Sequence, residues 1–257
     1  MSEKNRDGKR TARERLAADR EKQKTTEKRR RTLIVGASVL CVLGLAAVIG
    51  VVAANSGKDK GGKAGPAVAP SGAQGKDGLA IPVGKDGAKA TLTVWEDFRC
   101  PACQAFETAY RPTLHELADT GKLRIDYHLV RLIDGNLGGS GSLRAANAAA
   151  CAQDAGKFRD FHDVLYANQP KESDDAFGSD AKLIELAGKV PGLDTPAFRS
   201  CVRKGTHNSW VDKSHKAFAA GGYNGTPTVL FDGKNIYADQ TMTPDKLKKR
   251  VEDANKG

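Results

Sequence analysis

Sulfur and aromatic side chains are scarce in this chain: two methionines, five cysteines and 6% Phe, Trp and Tyr among 257 residues. With methionine confined to Met1 and Met242, a cuprous site is disfavoured, because such a site draws on Met or His beside its thiolates. The five histidines, His115, His128, His162, His207 and His215, show no H-x-x-x-H or comparable spacing, so no metal ligand set is legible and surface or capping roles are expected for all five. Aromatics are missing altogether from the basic N-terminal segment, which also carries interspersed acids. That removes the stacking platform a nucleic-acid reader needs, and nucleic acid is not an expected partner. No internal repeat is apparent.

Charge of either sign is absent from Leu33 to Ala54. As a helix this run spans ~33 Å, against a bilayer core of about 30 Å, so residues 32–54 are read as a transmembrane helix. Residues 1–31 hold 13 Lys and Arg against six Asp and Glu, which places +7 of the formal +10 in a tail ending at Lys28-Arg29-Arg30-Arg31. The positive-inside rule then leaves 1–31 in the cytoplasm and everything after Asn55 outside, as a single-pass cell-membrane protein with an extracytoplasmic domain. The alternative is a signal peptide cleaved after Val52-Ala53-Ala54. The apolar core exceeds the roughly 7–15 residues usual for such peptides and its leader is long, so an uncleaved anchor is expected. Residues 55–78, rich in Gly, Ala, Pro, Ser and Lys, have almost nothing to bury and read as a flexible linker with a reach of ~25–30 Å. The folded domain is expected at 79–257.

Within the domain, Leu79–Val83 and Ala90–Phe98 read as strands. Pro101 stands at a favoured first helical position, and Ala105, Phe106, Tyr110, Leu114, Leu117 and Ala118 recur at helical spacing up to Gly121, with a kink expected at Pro112. Lys122–Leu132 alternates as a third strand, completing a βαβ unit. Five helical patterns follow, over 142–155, 158–168, 181–189, 196–204 and 208–220. Strands return at 228–231 and 235–237 around Asp232-Gly233, and a last helix over 243–254 has Thr243 as N-cap and Pro244 at its first position.

The informative motif is Cys100-Pro101-Ala102-Cys103, at the junction of the second strand and the first helix. A cysteine there faces unpaired amide N–H groups and the positive end of the helix dipole, both of which favour its thiolate. This is the pattern of redox chemistry. Of the other cysteines, Cys41 is a small apolar residue of the membrane segment. Cys151 and Cys201 lie in the helical insert of a domain outside the reducing cytosol, where a pair most often forms a disulfide; two buried free thiols are the alternative. Trp95 and Trp210 are expected as core or cleft aromatics.

The element order, the C-x-x-C at the first strand-to-helix junction and Gly225-Thr226-Pro227-Thr228 ahead of the later strand resemble the thioredoxin fold in its DsbA-like form, an α/β fold with a helical insertion. Phe98-Arg99-Cys100-Pro101-Ala102-Cys103, followed by Phe106-Glu107 and Pro112, is similar more closely to the membrane-tethered DsbA-family oxidoreductases of actinobacteria. The resemblance implies a protein thiol:disulfide oxidoreductase in which Cys100 reacts first, Cys103 resolves, and a cis proline at Pro227 faces the pair. A proline at a strand start also removes a ladder donor, so that the Thr226 backbone is open to an extended substrate peptide. The family's strong oxidases carry His where this chain has Ala102. Thioredoxins and DsbA-like proteins carry a buried acid six residues before the first cysteine, where this chain has Val94; Glu96 lies on the same strand face and is the candidate replacement as proton acceptor, a solvated strand-end carboxylate being the alternative, and Asp97 reads as structural. The implied partners are exported protein thiols as substrates and a membrane quinone-linked reoxidase of the DsbB or vitamin K epoxide reductase-like (VKOR-like) type. No cofactor is implied, because the disulfide is itself the oxidant. A reductase or isomerase of the same fold, a metallochaperone using Cys100 and Cys103, and a redox-inert binding module are the competing readings.

Overall fold

A computed structural model of the chain describes residues 67–239 and 241–256. The basic tail, the expected membrane helix over 32–54 and the linker as far as residue 66 lie outside the described residues. Among those described, no helix is long and apolar enough to cross a membrane.

Alternating apolar positions build a five-stranded sheet from β1 (Ile81–Val83), β2 (Ala90–Glu96), β3 (Leu123–Leu129), β4 (Thr228–Phe231) and β5 (Lys234–Asn235), in the order β1-β3-β2-β4-β5. The central pair β2 and β3 is parallel, from Ala90 opposite Leu123 to Glu96 opposite Leu129, and β1 and β4 flank it antiparallel. Parallel neighbours need a crossover, which α1 (Pro101–Asp119) supplies. On β2, Leu92 and Val94 are fully buried in the main core. Trp95 points the other way, stacking on His128 at 3.9 Å between ring centres and meeting Phe218 of α7 (Asn208–Ala220).

The second strand stops two residues earlier than expected, at Glu96, for a local reason. The Asp97 carboxylate accepts the N–H of Arg99 and of Ile133, both at 2.8 Å, and its carbonyl accepts the N–H of Cys100. These bonds turn the chain from strand into helix. The third strand likewise stops at Leu129, and Leu132–Leu137 forms a short helix, α2, that periodicity did not separate from the strand. β5 is shorter than expected and ends at Asn235. Pro112 does not end α1, which runs on to Asp119 and closes with Gly121 at φ 74°, Lys122 N–H on the Leu117 carbonyl and Gly121 N–H on that of Ala118.

The insert comprises α2, α3 (Gly141–Asp154), α4 (Phe158–Ala167), α5 (Asp180–Ala187), α6 (Pro196–Lys204) and α7. α3 is its axis. Ala145, Ala146, Ala148, Ala149, Ala150 and Ala152 have no exposed surface, and their small side chains let α4, α6 and α7 pack against it from several sides. Cys151 of α3 and Cys201 of α6 are joined by a disulfide. The last helix, α8 (Pro244–Lys256), is capped by Thr243 Oγ1 accepting from Lys246 N–H at 3.3 Å, and packs on α1.

The folded unit begins before residue 79. Although residues 67–78 bury little, side chains of the insert bind their backbone. The Val68 carbonyl lies 2.8 Å from His207 Nδ1, Ser71 N–H donates to Asp154 at 2.7 Å, and Trp210 Nε1 donates to the Gly78 carbonyl at 2.7 Å. Composition registers burial and overlooks such polar docking. His207, expected at the surface or as a cap, does stand at the N-cap position of α7, but its side chain is 1% exposed and meets Asp154 through Nε2 at 2.9 Å instead of capping the helix.

Candidate active site

The end of β2 and the start of β4 define the site, since Trp95 stands opposite Thr228. The cis Thr226–Pro227 peptide bond just ahead of β4 therefore meets the N-terminus of α1. Cys100 is the N-cap residue of α1, with extended backbone at φ −77°, ψ 118°, and Pro101 follows it. The Cys100 thiol donates to the Thr226 carbonyl at 3.1 Å, which brings together three of the residues singled out in the sequence. Gln169 fixes the turn from below: its Nε2 donates to the Phe98 carbonyl at 2.9 Å and to that of Cys100 at 3.0 Å. Nothing in the sequence marks this glutamine.

Both sulfurs are free thiols, with Cys100 at 6% exposure and Cys103 at 0%. An incoming sulfur can reach Cys100 and has no approach to Cys103. Their acidities separate as well. The hydrogen bond from the Cys103 thiol is the main cause that pulls Cys100 down to about 6; burial opposes it, while the Thr226 side chain and the backbone N–H groups of Cys103 and Ala102 assist. Cys103 is pushed well above the ordinary thiol value, chiefly by burial and then by the bond it gives to Cys100. One sulfur is thus a nucleophile and leaving group near neutral pH, and the other keeps its proton.

Arg99 turns away from the sulfurs. Its buried guanidinium meets Asp134 at 2.7 Å, Asp175 at 3.0 Å and the carbonyls of Gly138 and Glu172 at 2.9 and 3.1 Å. Those two carboxylates also accept backbone N–H groups at the start of α3, from Ser140 and Gly141 on Asp175 and from Ser142 and Leu143 on Asp134. Gly141 is required there, because a Cβ would sit 2.5 Å from Asp175 Oδ1 and 3.0 Å from Arg99 Cδ. The residue beside the nucleophile thereby locks the insert to the site.

Glu96 is buried, at 1% exposure, and its Oε1 lies 2.9 Å from His162 Nε2 on α4. It is no solvated strand-end carboxylate. His162, expected at the surface or as a cap, is 2% exposed, and Glu107 completes a buried cluster that sequence reasoning did not assemble. Glu107 carried a signal: it lies four residues after Cys103, on the same helical face.

A family model described as thioredoxin matches residues 76–253. The chain belongs to the thioredoxin family. A probable disulfide bond formation protein D of Bacillus cereus is 28% identical over 173 residues, covering 66% of this chain and 76% of that protein. Among solved structures, the reduced form of the disulfide bond oxidoreductase DsbG from Mycobacterium tuberculosis is similar with a TM-score of 0.61 and 30% identity, over 72% of this chain and 90% of that one. Oxidised DsbA of the same organism gives 0.59 and 31%, over 68% and 92%. The thioredoxin-family domain is accordingly a DsbA-like thiol:disulfide oxidoreductase.

Beside the pair runs a cleft of about 540 Å³ lined by Phe106, Tyr110, Val229, Ile236, Tyr237 and Met242. Tyr110 is fixed by donating to the Met242 carbonyl at 2.7 Å, while Tyr237 is 42% exposed at the rim. In this thioredoxin-family domain the cleft adjoins β4 at Val229, two residues past Pro227.

Proposed function

We propose that this protein is a membrane-anchored, extracytoplasmic disulfide donor that oxidises thiols of exported proteins. The observation that carries the direction of reaction is the raised acidity of the Cys100 thiol, its pKa lowered to about 6 where it caps the N-terminus of α1 and meets Thr226. Stabilising the Cys100 thiolate stabilises the reduced enzyme, and a couple with a stable reduced form is a strong oxidant.

A substrate thiolate attacks Cys100 Sγ of the oxidised enzyme. The Cys100–Cys103 bond breaks, its electron pair goes to Cys103 Sγ, and a substrate–Cys100 disulfide forms. A second substrate thiolate then attacks the substrate sulfur and expels Cys100 as thiolate, leaving the substrate oxidised and both enzyme cysteines reduced. Thr226 and Pro227 hold the peptide in extended form, the aromatic cleft takes an apolar side chain beside the reacting cysteine, and Glu96 belongs to the proton acceptor for Cys103. A quinone-linked membrane reoxidase of the DsbB or VKOR-like type restores the disulfide, and the apolar run 32–54 keeps the domain near it.

Ala102 favours a second reading. Without an imidazole between the two cysteines, the thiolate relies on hydrogen bonds alone, which suits a weaker oxidant or a reductase. Titrating the Cys100–Cys103 pair against glutathione separates the two: a potential near about −120 mV identifies a donor, and one near about −270 mV a reductase. Protease access to a C-terminal tag in intact cells tests the topology.

A further inference from the structure

We propose that Gln169 is a positioning residue of the thiol exchange: from the helical insert it holds the Cys100 turn in the geometry that stabilises the Cys100 thiolate, and so sets the oxidising strength of the pair. This deepens the reading of Cys100 and Cys103 as the reacting pair and rests on it.

Pro101 and Ala102, the residues between the cysteines, bring no side-chain donor to the sulfurs. Support for the thiolate has to come from the backbone of α1 and from outside the motif. The amides of Ala102 and Cys103 serve only while Cys100 keeps its extended N-cap backbone, because its sulfur then meets the open end of the helix. An N-cap residue is half outside the helical ladder, so its conformation needs a second hold.

Gln169 supplies that hold. The Cys100 carbonyl accepts the first bond of α1, from Gln104 N–H at 3.2 Å, and has a second lone pair to offer. Gln169 Nε2 donates to it at 3.0 Å and to the Phe98 carbonyl at 2.9 Å. A primary amide carries two N–H bonds, so one side chain ties both ends of the Phe98–Cys100 turn. The arm that does this is itself anchored. α4 ends at Ala167, Asn168 Nδ2 donates back to the Val164 carbonyl at 2.7 Å, Lys189 Nζ donates to Asn168 Oδ1 at 2.6 Å, and Pro170 blocks any continuation of the helix. Two further bonds join the same stretches of chain. Gln104 Nε2 donates to the Tyr166 carbonyl at 2.9 Å, and the buried Tyr166 donates through Oη to the Asp97 carbonyl at 3.4 Å. The end of α4 thus grips residues 97–104, and Gln169 is the member that reaches the nucleophile itself.

The hold acts differently on the two redox states. In the dithiol, Cys100 Sγ carries charge and gains from well-placed amides; in the disulfide it is neutral and bonded to Cys103, and the same placement gains little. Fixing the turn therefore stabilises the reduced enzyme selectively, which makes the couple more oxidising. Of the titratable groups near Cys100, Cys103 on α1 and Tyr237 after β5 are both held above their ordinary values, Tyr237 by burial and then by the two sulfurs. Cys100 is the one that ionises near neutral pH.

The full chain, purified in detergent, gives two readouts: thiolate absorbance against pH, and equilibration of the pair with glutathione. Gln169→Met keeps the length of the side chain and removes both donors. We expect its Cys100 midpoint to rise and its equilibrium with glutathione to shift by about five- to tenfold in favour of the disulfide form, the scale of one lost hydrogen bond. Gln169→Lys, which restores donors to the carbonyls, should bring both readouts back. Gln169→Asn keeps the amide on a shorter arm that cannot span both carbonyls, should fall between, and carries the test if Gln169→Met does not fold. A merely structural role would lower stability in urea and leave both readouts alone, so a wild-type midpoint and equilibrium in folded Gln169→Met, or in Gln169→Asn in its place, would overturn the proposal. A wild-type absorbance step that survives in Cys100→Ser would instead overturn the assignment of Cys100 as the reacting thiolate.

Discussion

Glu107 shows how much one side chain can hold in reserve. Its folded value of about 8 lies above the ordinary 4.5. A raised value means that the folded state binds the proton more tightly than the unfolded chain, so stability is fully present below about 4.5 and is lost as pH rises toward 8. Asp97, raised by burial from 3.8 to about 7, acts in the same direction over a lower window. The expected outcome is an unfolding free energy that falls across mildly acidic pH. In Glu107→Gln, urea titrations at successive pH values should show the upper part of that decline flattened and the part due to Asp97 retained. At this scale the sequence was legible where chemistry follows spacing. Cys100 and Cys103 announce themselves, and strand alternation from Val94 located Glu96. The partner of Glu96 did not announce itself, because His162 is 66 positions away and only the fold of the insert brings it within 2.9 Å.

Elements with their own period were readable, and those shaped by a distant group were not. α1, α4, α6, α7 and α8 follow their apolar stripes closely. α2 escaped because six residues carry too little periodicity and because its start is set by Asp97, 36 positions earlier. α6 and α3 owe their alignment partly to a crosslink between residues 50 positions apart. Closing a loop of that length restricts the unfolded chain by about 4 kcal/mol on the chain-entropy account. The double variant Cys151→Ala, Cys201→Ala should lose stability of that order in urea. Its Cys100 should keep its lowered pKa in a thiolate-absorbance titration, since Cys103, Thr226 and the amides of α1 are untouched. A large change in Cys100 acidity would mean that α3 and α6 help shape the site.

For the molecule as a whole, composition gave the α/β class and the order βαβ, insert, ββα, yet placed the domain border too late. Residues 67–78 are mostly polar or small, so nothing in them reads as core, but Asp154, His207 and Trp210 bind their backbone. Hydrogen exchange should find the amides of Ser71, Gln74 and Ala80 protected, the last two through their mutual bonds. Asp154→Ala should release Ser71 and leave Ala80 protected; rapid exchange at all three in the unaltered chain would remove the docking.

The Cys151–Cys201 bond has a consequence for how the molecule comes into being. A catalyst that donates disulfides as proposed itself carries one, so each newly made copy would be a client before it reaches its full stability. Mature molecules would finish the young ones, and competence would pass from one generation of the protein to the next. A cell emptied of the oxidised form would regain it slowly at first, from whatever stray oxidant closes the first insert, and then at a rate that rises with every molecule completed.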